Sequence, residues 1–190
     1  MNKKLILLGG MPASGKTTLG KKISAAYKLP YLDKDTICDL YTNYVVAKQS
    51  HANDRSSNLY QKELRPLEYQ ILFKIGFEHA SLGLSPILVA PFSSEFPKKE
   101  VLIDLEKKLK AIDPEYELIT ILLQASSSQV KENMSKRNRL EDQDKLNSWD
   151  SYIADKLANQ SLSQKNVSVV FDSTDPDLWS KISLFFKDLK

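Results

Sequence analysis

One cysteine, Cys38, and two histidines are the only thiol and imidazole groups in 190 residues. A lone cysteine excludes an internal disulfide, and no Cys/His spacing suited to zinc is present, which is the usage of a reducing compartment. Long apolar runs are missing as well. Leu5-Ile6-Leu7-Leu8 follows Lys3 and Lys4 in the manner of a secretory leader but stops short of the roughly 7–15 apolar residues a leader needs. Nothing approaches the ~18 apolar residues of a membrane-spanning helix. A cytoplasmic location without a membrane partner is therefore expected. Charge of one sign is not concentrated anywhere: 27 Lys and Arg face 24 Asp and Glu, a net +3 dispersed along the chain. Without a block of like charges, nucleic acid is not the favoured partner, and the oligomeric state is left open. Repeats, low-complexity tracts and linkers are absent too, so residues 1–190 are expected to form one domain, being too few for two of ordinary size.

What is present is an alternation. Short apolar runs at 5–8, 30–32, 87–90, 118–123 and 167–171 are separated by helix-length segments with a period near 3.6. Strands buried on both faces and joined by crossover helices have this appearance, so an α/β fold around a parallel sheet is expected. The first helix should bury Leu19, Ile23, Ala26 and Tyr27. Between the second and third strands lies a long insert, 35–85, whose second helical stretch aligns Leu64, Leu67, Ile71 and Ile75. Val101, Leu105, Leu109 and Ile112 form the corresponding stripe before the fourth strand, and Lys98, Lys99, Lys107, Lys108 and Lys110 read as its solvated side.

The chemistry begins after the first strand. Gly10-Met11-Pro12-Ala13-Ser14-Gly15-Lys16-Thr17 satisfies G-x-x-x-x-G-K-[ST] and stands between a strand and a helix. Glycines at both ends let the backbone curl until successive N–H groups face a phosphate, and the helix start adds the positive end of its dipole. Lys16 is then expected on the β- and γ-phosphates of a nucleotide, with the Thr17 hydroxyl on Mg²⁺.

The second strand runs into Tyr31-Leu32-Asp33-Lys34-Asp35-Thr36-Ile37. Residues just past the carboxyl ends of parallel strands converge on the ligand crevice, so Asp33 and Asp35 should face the terminal phosphate. One acid can take a proton from an attacking hydroxyl while the other holds a water on the metal. We assign the base to Asp35 and metal support to Asp33, roles that spacing alone leaves interchangeable; Asp35 is also well placed as the cap of the next helix. The third strand ends Val89-Ala90-Pro91-Phe92, without the aspartate many phosphate-loop NTPases carry there, which argues against a hydrolytic motor.

Two further segments bear cations. Arg137, Arg139 and Lys145 lie in a polar stretch, 135–147, interleaved with Glu141, Asp142 and Asp144. Phosphoryl transfer needs cations on the moving group and a flap that excludes water, and a basic helical lid over 135–147 supplies both. The segment 41–69, with His51, Arg55, Tyr60, Arg65 and Tyr69, is placed to cover the acceptor, where Arg55 and Arg65 are expected to grip an anionic group. His51 reads as a surface residue, and the two tyrosines as packing groups.

Taken with these features, the chain resembles the small P-loop kinases related to nucleoside monophosphate, shikimate and gluconate kinases, and more narrowly the bacterial proteins grouped as AAA family ATPases or predicted kinases. The residues that carry the resemblance are Gly10 to Thr18, Leu32 to Thr36, Asp54-Arg55, Leu64-Arg65, Glu68-Tyr69, Val89 to Phe92, and Arg137 through Lys145-Leu146 ahead of Trp149-Asp150. The resemblance implies a three-layer fold with five parallel strands in the order 2-3-1-4-5, ATP as donor and Mg²⁺ as cofactor. It also implies a mobile arginine-bearing lid, Thr18 among the nucleotide-binding residues, and Asp172-Ser173-Thr174 near the adenine. Relatives that phosphorylate polynucleotides carry an arginine three positions after the second-loop aspartate, where this chain has Cys38, and the substrate motifs of shikimate and gluconate kinases are not recognisable. The expected activity is transfer of the γ-phosphoryl of ATP to a hydroxyl of a small molecule. A nucleotide or polynucleotide kinase, and an ATP-binding switch acting through a protein partner, are the alternatives.

Overall fold

A computed structural model of the chain describes residues 3–49, 55, 57–138 and 140–187. The elements run β1 (Lys4–Gly9), α1 (Lys16–Tyr27), β2 (Tyr31–Asp33), α2 (Lys34–Gln49), α3 (Arg65–Ser81), β3 (Ile87–Val89), α4 (Lys99–Ile112), β4 (Glu117–Gln124), α5 (Ser127–Arg137), α6 (Leu140–Asn147), α7 (Trp149–Gln164), β5 (Val169–Asp172) and α8 (Leu178–Phe185). All four strand pairings are parallel and the order is β2-β3-β1-β4-β5. Among the described residues no helix is long and apolar enough to cross a membrane.

Strand pleating divides the core in two. Leu5 and Leu7 of β1, with Leu88 and Leu122, point into one layer with Tyr69 and Leu72 of α3 and Leu102, Leu105 and Leu109 of α4. Ile6 and Leu8, with Ile87, Val89, Ile121 and Leu123, point the other way onto Leu19 and Ile23 of α1 and Ile182 of α8. Neighbouring strands keep like with like, since Ile6 lies level with both Ile87 and Ile119. A satellite cluster of Met11, Ala125, Val130, Met134 and Ile153 seats α5 and α7 against the loop that follows β1.

Several local expectations are corrected. Ala26 is exposed, and the buried face of α1 is completed by Gly20, where an added Cβ would come within 2.8 Å of Val89. On α3 the Leu67 and Ile71 stripe faces outward, at 43% and 39% exposure, while Glu68, Tyr69, Leu72, Gly76 and Ala80 are buried. This helix is apolar on most sides, so apolar spacing does not fix its rotation. The polar atoms do: the Tyr69 hydroxyl accepts the Phe92 N–H, and Glu68 holds a buried lysine described below. A π-helical turn, Tyr60–Leu64, precedes α3 and ends where Pro66 removes a backbone donor. On α4, Ile112 is at the surface and Leu102 is buried in its stead, while the five lysines around that helix are exposed as expected. The polar stretch 135–147 itself contains α6.

Candidate active site

The loop from Gly10 to Lys16 is shaped by residues that tolerate unusual backbone. Gly10 has φ +147°, and a Cβ there would sit 2.3 Å from the Leu123 carbonyl oxygen; Gly15 has φ +95° and Ala13 φ 61°. No side chain caps α1 and no acid occupies its first turn, so its leading N–H groups are open to an anion. The Ser14 N–H donates to the Met11 carbonyl, and the Ser14 hydroxyl is buried without a partner. The Lys16 ammonium is buried too and donates to the same Met11 carbonyl at 2.6 Å. Burial lowers its pKa from 10.5 to about 8, with Asp35 and Asp33 opposing that change and Arg137 adding to it. A desolvated cation, an orphaned hydroxyl and an uncapped helix start in one loop suit a phosphate chain. Thr17 and Thr18 are exposed at its mouth.

Asp33 closes β2 and starts α2. Its Oδ1 accepts the N–H groups of Asp35 and Thr36 at 3.0 and 3.2 Å, so Asp33 rather than Asp35 is the cap of α2. Its Oδ2 accepts from the Tyr31 hydroxyl at 2.8 Å and from the Thr17 hydroxyl at 3.3 Å. Burial first, and the Asp33 hydrogen bond next, hold the Tyr31 phenol protonated above its ordinary range. Thus Asp33 is fixed by four donors and tied to Thr17. Among the described residues no group of three or more His, Cys, Asp or Glu gathers as a metal cage, so a cation here would rely on Thr17, Asp33 and waters.

Asp35 stands in the first turn of α2 with about half of its side chain exposed, 2.9 Å from the Lys34 ammonium and 3.7 Å from the Arg55 guanidinium. Burial works to raise its pKa, but Lys34, Arg55 and Lys16 outweigh it and keep the carboxylate ionised below its ordinary range. Lys34 is itself buried. Its ammonium meets Glu68 at 2.5 Å, and Glu68 also accepts from the Thr42 hydroxyl at 2.7 Å and the Tyr60 hydroxyl at 3.0 Å. Burial opposes the charge on Lys34, and Asp35, Tyr60 and Glu68 more than restore it, leaving its pKa raised. Sequence reasoning missed this network, although a lysine between two aspartates was a visible signal.

Among the described residues, the other cations that the sequence singles out are engaged. Arg55 donates to Asp39 at 2.6 Å and lies over the Tyr60 ring; Arg65 stacks on the Tyr69 ring at 4.5 Å, 3.6 Å from Glu95 and 3.4 Å from the Ser93 hydroxyl. Tyr60 and Tyr69 are buried packing groups. Arg137 makes a forked pair with the buried Asp142, at 2.5 and 2.8 Å, and Lys145 joins it at 3.1 Å. Asn133, unremarked in sequence, ties α5 to the phosphate loop by donating to the Ala13 carbonyl at 2.8 Å. Arg139, His51 and Asp54 lie outside the described residues. Near the end of β5 the Asp172 carboxylate accepts the Thr174 N–H and hydroxyl, and the Ser173 N–H donates to the Gln124 carbonyl.

The structure thus joins Lys16, Thr17, Asp33 and Asp35 in one cluster, with Arg55 at its edge and Arg137 near enough to lower the pKa of Lys16. Arg65 stands apart with Ser93 and Glu95.

Known proteins share the family and the fold. A family model described as an AAA domain, AAA_33, matches residues 5–156. Solved structures with the same fold include a suspected kinase from Chloroflexus aurantiacus, 18% identical over all of both chains with a TM-score of 0.63. A sugar kinase from a Janibacter species is 15% identical over 98% of this chain and 95% of its own, with a TM-score of 0.60. Shikimate kinase from Bacteroides thetaiotaomicron is 15% identical over 98% of each chain, with a TM-score of 0.58. No curated protein matches.

Proposed function

This chain belongs to the AAA domain family AAA_33, and on that premise we propose that it is a phosphotransferase moving the γ-phosphoryl of Mg-ATP to a hydroxyl of a small molecule. The observation that carries the reading is the buried Lys16 ammonium on the Met11 carbonyl, beside the unpartnered Ser14 hydroxyl at the uncapped start of α1. When bound, Mg-ATP supplies the transferable phosphoryl group and a divalent charge against its oxygens.

The chain's own residues do the rest. Backbone N–H groups of Ala13 and of Gly15 to Thr18 hold the phosphates, and Lys16 exchanges the Met11 carbonyl for a phosphate oxygen, regaining the electrostatic stabilisation that burial removed. The Thr17 hydroxyl would hold the metal, and Asp33, which accepts its hydrogen bond, would support the cation through water. Asp33 is too fully engaged to serve as base, whereas Asp35 has an exposed carboxylate that accepts the proton of the attacking hydroxyl. A low pKa keeps Asp35 ionised at neutral pH, with its proton passed on after transfer. Arg137, its plane fixed by Asp142, reaches the transferring group from the lid over 135–147. The segment 41–69 covers the acceptor side, with Arg55 braced on Asp39.

ADP release from Mg-ATP across sugars, hydroxy acids, nucleosides and oligonucleotides tests the reading, with Lys16→Ala as blank. Stimulation by one acceptor class, abolished in the variant, supports it; a slow rate that no acceptor raises contradicts it.

A further inference from the structure

A cavity of about 130 Å³ opens beside the phosphate loop, walled by Met11 and Pro12, by Ser93 beyond β3, and by Lys156, Asn159 and Gln160 of α7. Positions 156, 159, 160 and 163 fall on one face of α7, and beyond the buried Ile153 that inward face turns polar where a helix packed on a sheet is ordinarily apolar. Two of these side chains are already committed: the Asn159 amide donates to the Ser93 carbonyl at 2.8 Å, and the Ser163 hydroxyl to the Asn159 carbonyl at 2.8 Å. The other two are not. The Gln160 Oε1 is buried with no donor. The half-buried Lys156 makes no ion pair among the described residues; it rests 5.5 Å from the Tyr152 ring, and burial disfavours its charge, an effect that the neighbouring Asp155 opposes and that Lys145 and Arg65 add to. An orphaned carbonyl oxygen costs free energy unless a donor reaches it, and a partly desolvated ammonium without an ion-pair partner is stabilised by an anion that comes within contact.

We propose that this cavity is the acceptor site, and that Lys156 and Gln160 select a small anion bearing hydroxyl groups: Lys156 takes the carboxylate or phosphate, and Gln160 Oε1 takes a hydroxyl. The inference rests on the phosphotransferase reading and moves recognition from the 41–69 segment to α7. Arg65, on the Ser93 side, reinforces the positive field without being the primary contact.

Binding is measured by calorimetry without nucleotide, at millimolar concentrations, using three probe groups. They are glycerate and gluconate as hydroxy acids, glycerol 3-phosphate and ribose 5-phosphate as phosphates, and glycerol and glucose as neutral counterparts. At least one anionic group should bind, the neutral counterparts should not, and Lys156→Met should weaken the anion by about tenfold or more while Lys156→Arg restores part of it. Gln160→Leu, a near-isosteric change, should weaken the same compound while ADP affinity stays within a few-fold in every variant. Preference for neutral compounds, equal binding by Lys156→Met, or no binding by any anion overturns the proposal. The two readings separate in ADP release: an anion that binds through Lys156 but never stimulates turnover leaves the site and removes the kinase, whereas stimulation indifferent to Lys156→Met leaves the kinase and removes the site.

Discussion

Lys16→Met should make the nucleotide-free protein more stable while destroying its capacity to bind nucleotide. The Lys16 pKa falls from 10.5 to about 8 on folding because the ammonium is buried. Between those values the unfolded chain holds a proton that the folded chain has released, so stability rises with pH through this window and the charged form is a burden below it. The burden works out at about 3 kcal/mol at pH 7 and about 1 kcal/mol at pH 9.5. Methionine fills the same space without the charge but forfeits the hydrogen bond to the Met11 carbonyl, worth about 1 kcal/mol. A net gain of about 2 kcal/mol at pH 7 corresponds to a rise of roughly 4–8 °C in Tm for a chain of this size. Urea and thermal unfolding at both pH values give the comparison, and the advantage should vanish near pH 9.5. Saturating Mg-ADP, which stabilises by about 2.7 kcal/mol at a hundredfold excess over Kd, should then rescue only the lysine form. A variant less stable at pH 7, or an advantage that does not change with pH, would refute the reasoning.

Two other perturbations probe the cluster. Glu68→Ala strips the buried Lys34 of its closest partner and should cost about 3–5 kcal/mol, seen in urea unfolding, whereas the double variant Lys34→Met/Glu68→Leu should recover most of that loss. Equal losses in the single and double variants would mean that packing rather than charge is at stake. Asp35→Asn should lower kcat by roughly 10²-fold with nucleotide affinity within a few-fold, the signature of a lost base; a larger effect from Asp33→Asn, after allowing for the cap it also removes, would exchange the two roles.

Much of this arrangement was legible because it is local. A glycine-bounded loop with Lys16 and Thr17 must stand between a strand and a helix to function, and it does, between β1 and α1. Strand positions followed from apolar runs to within a few residues. The order 2-3-1-4-5 came from the resemblance, since apolar pattern says which segments are strands but not which ones pair. What stayed hidden depends on partners distant in sequence. The rotation of α3 is chosen by Glu68 meeting Lys34 across 34 positions, against an apolar stripe that pointed elsewhere. Asn133 reaches Ala13 from 120 positions away. The inward face of α7, with Lys156 and Gln160, looks in sequence like an ordinary solvated helix, because polarity alone does not distinguish a side chain facing water from one facing a cavity.

The most direct measurement follows the γ-phosphoryl itself. With ATP labelled at that position and a stimulating acceptor present, label should appear covalently on the acceptor in one-to-one ratio with ADP, and inorganic phosphate should stay near the rate without acceptor. Label appearing only as inorganic phosphate, in step with ADP, would mean that water is the acceptor and that the chain is not a kinase.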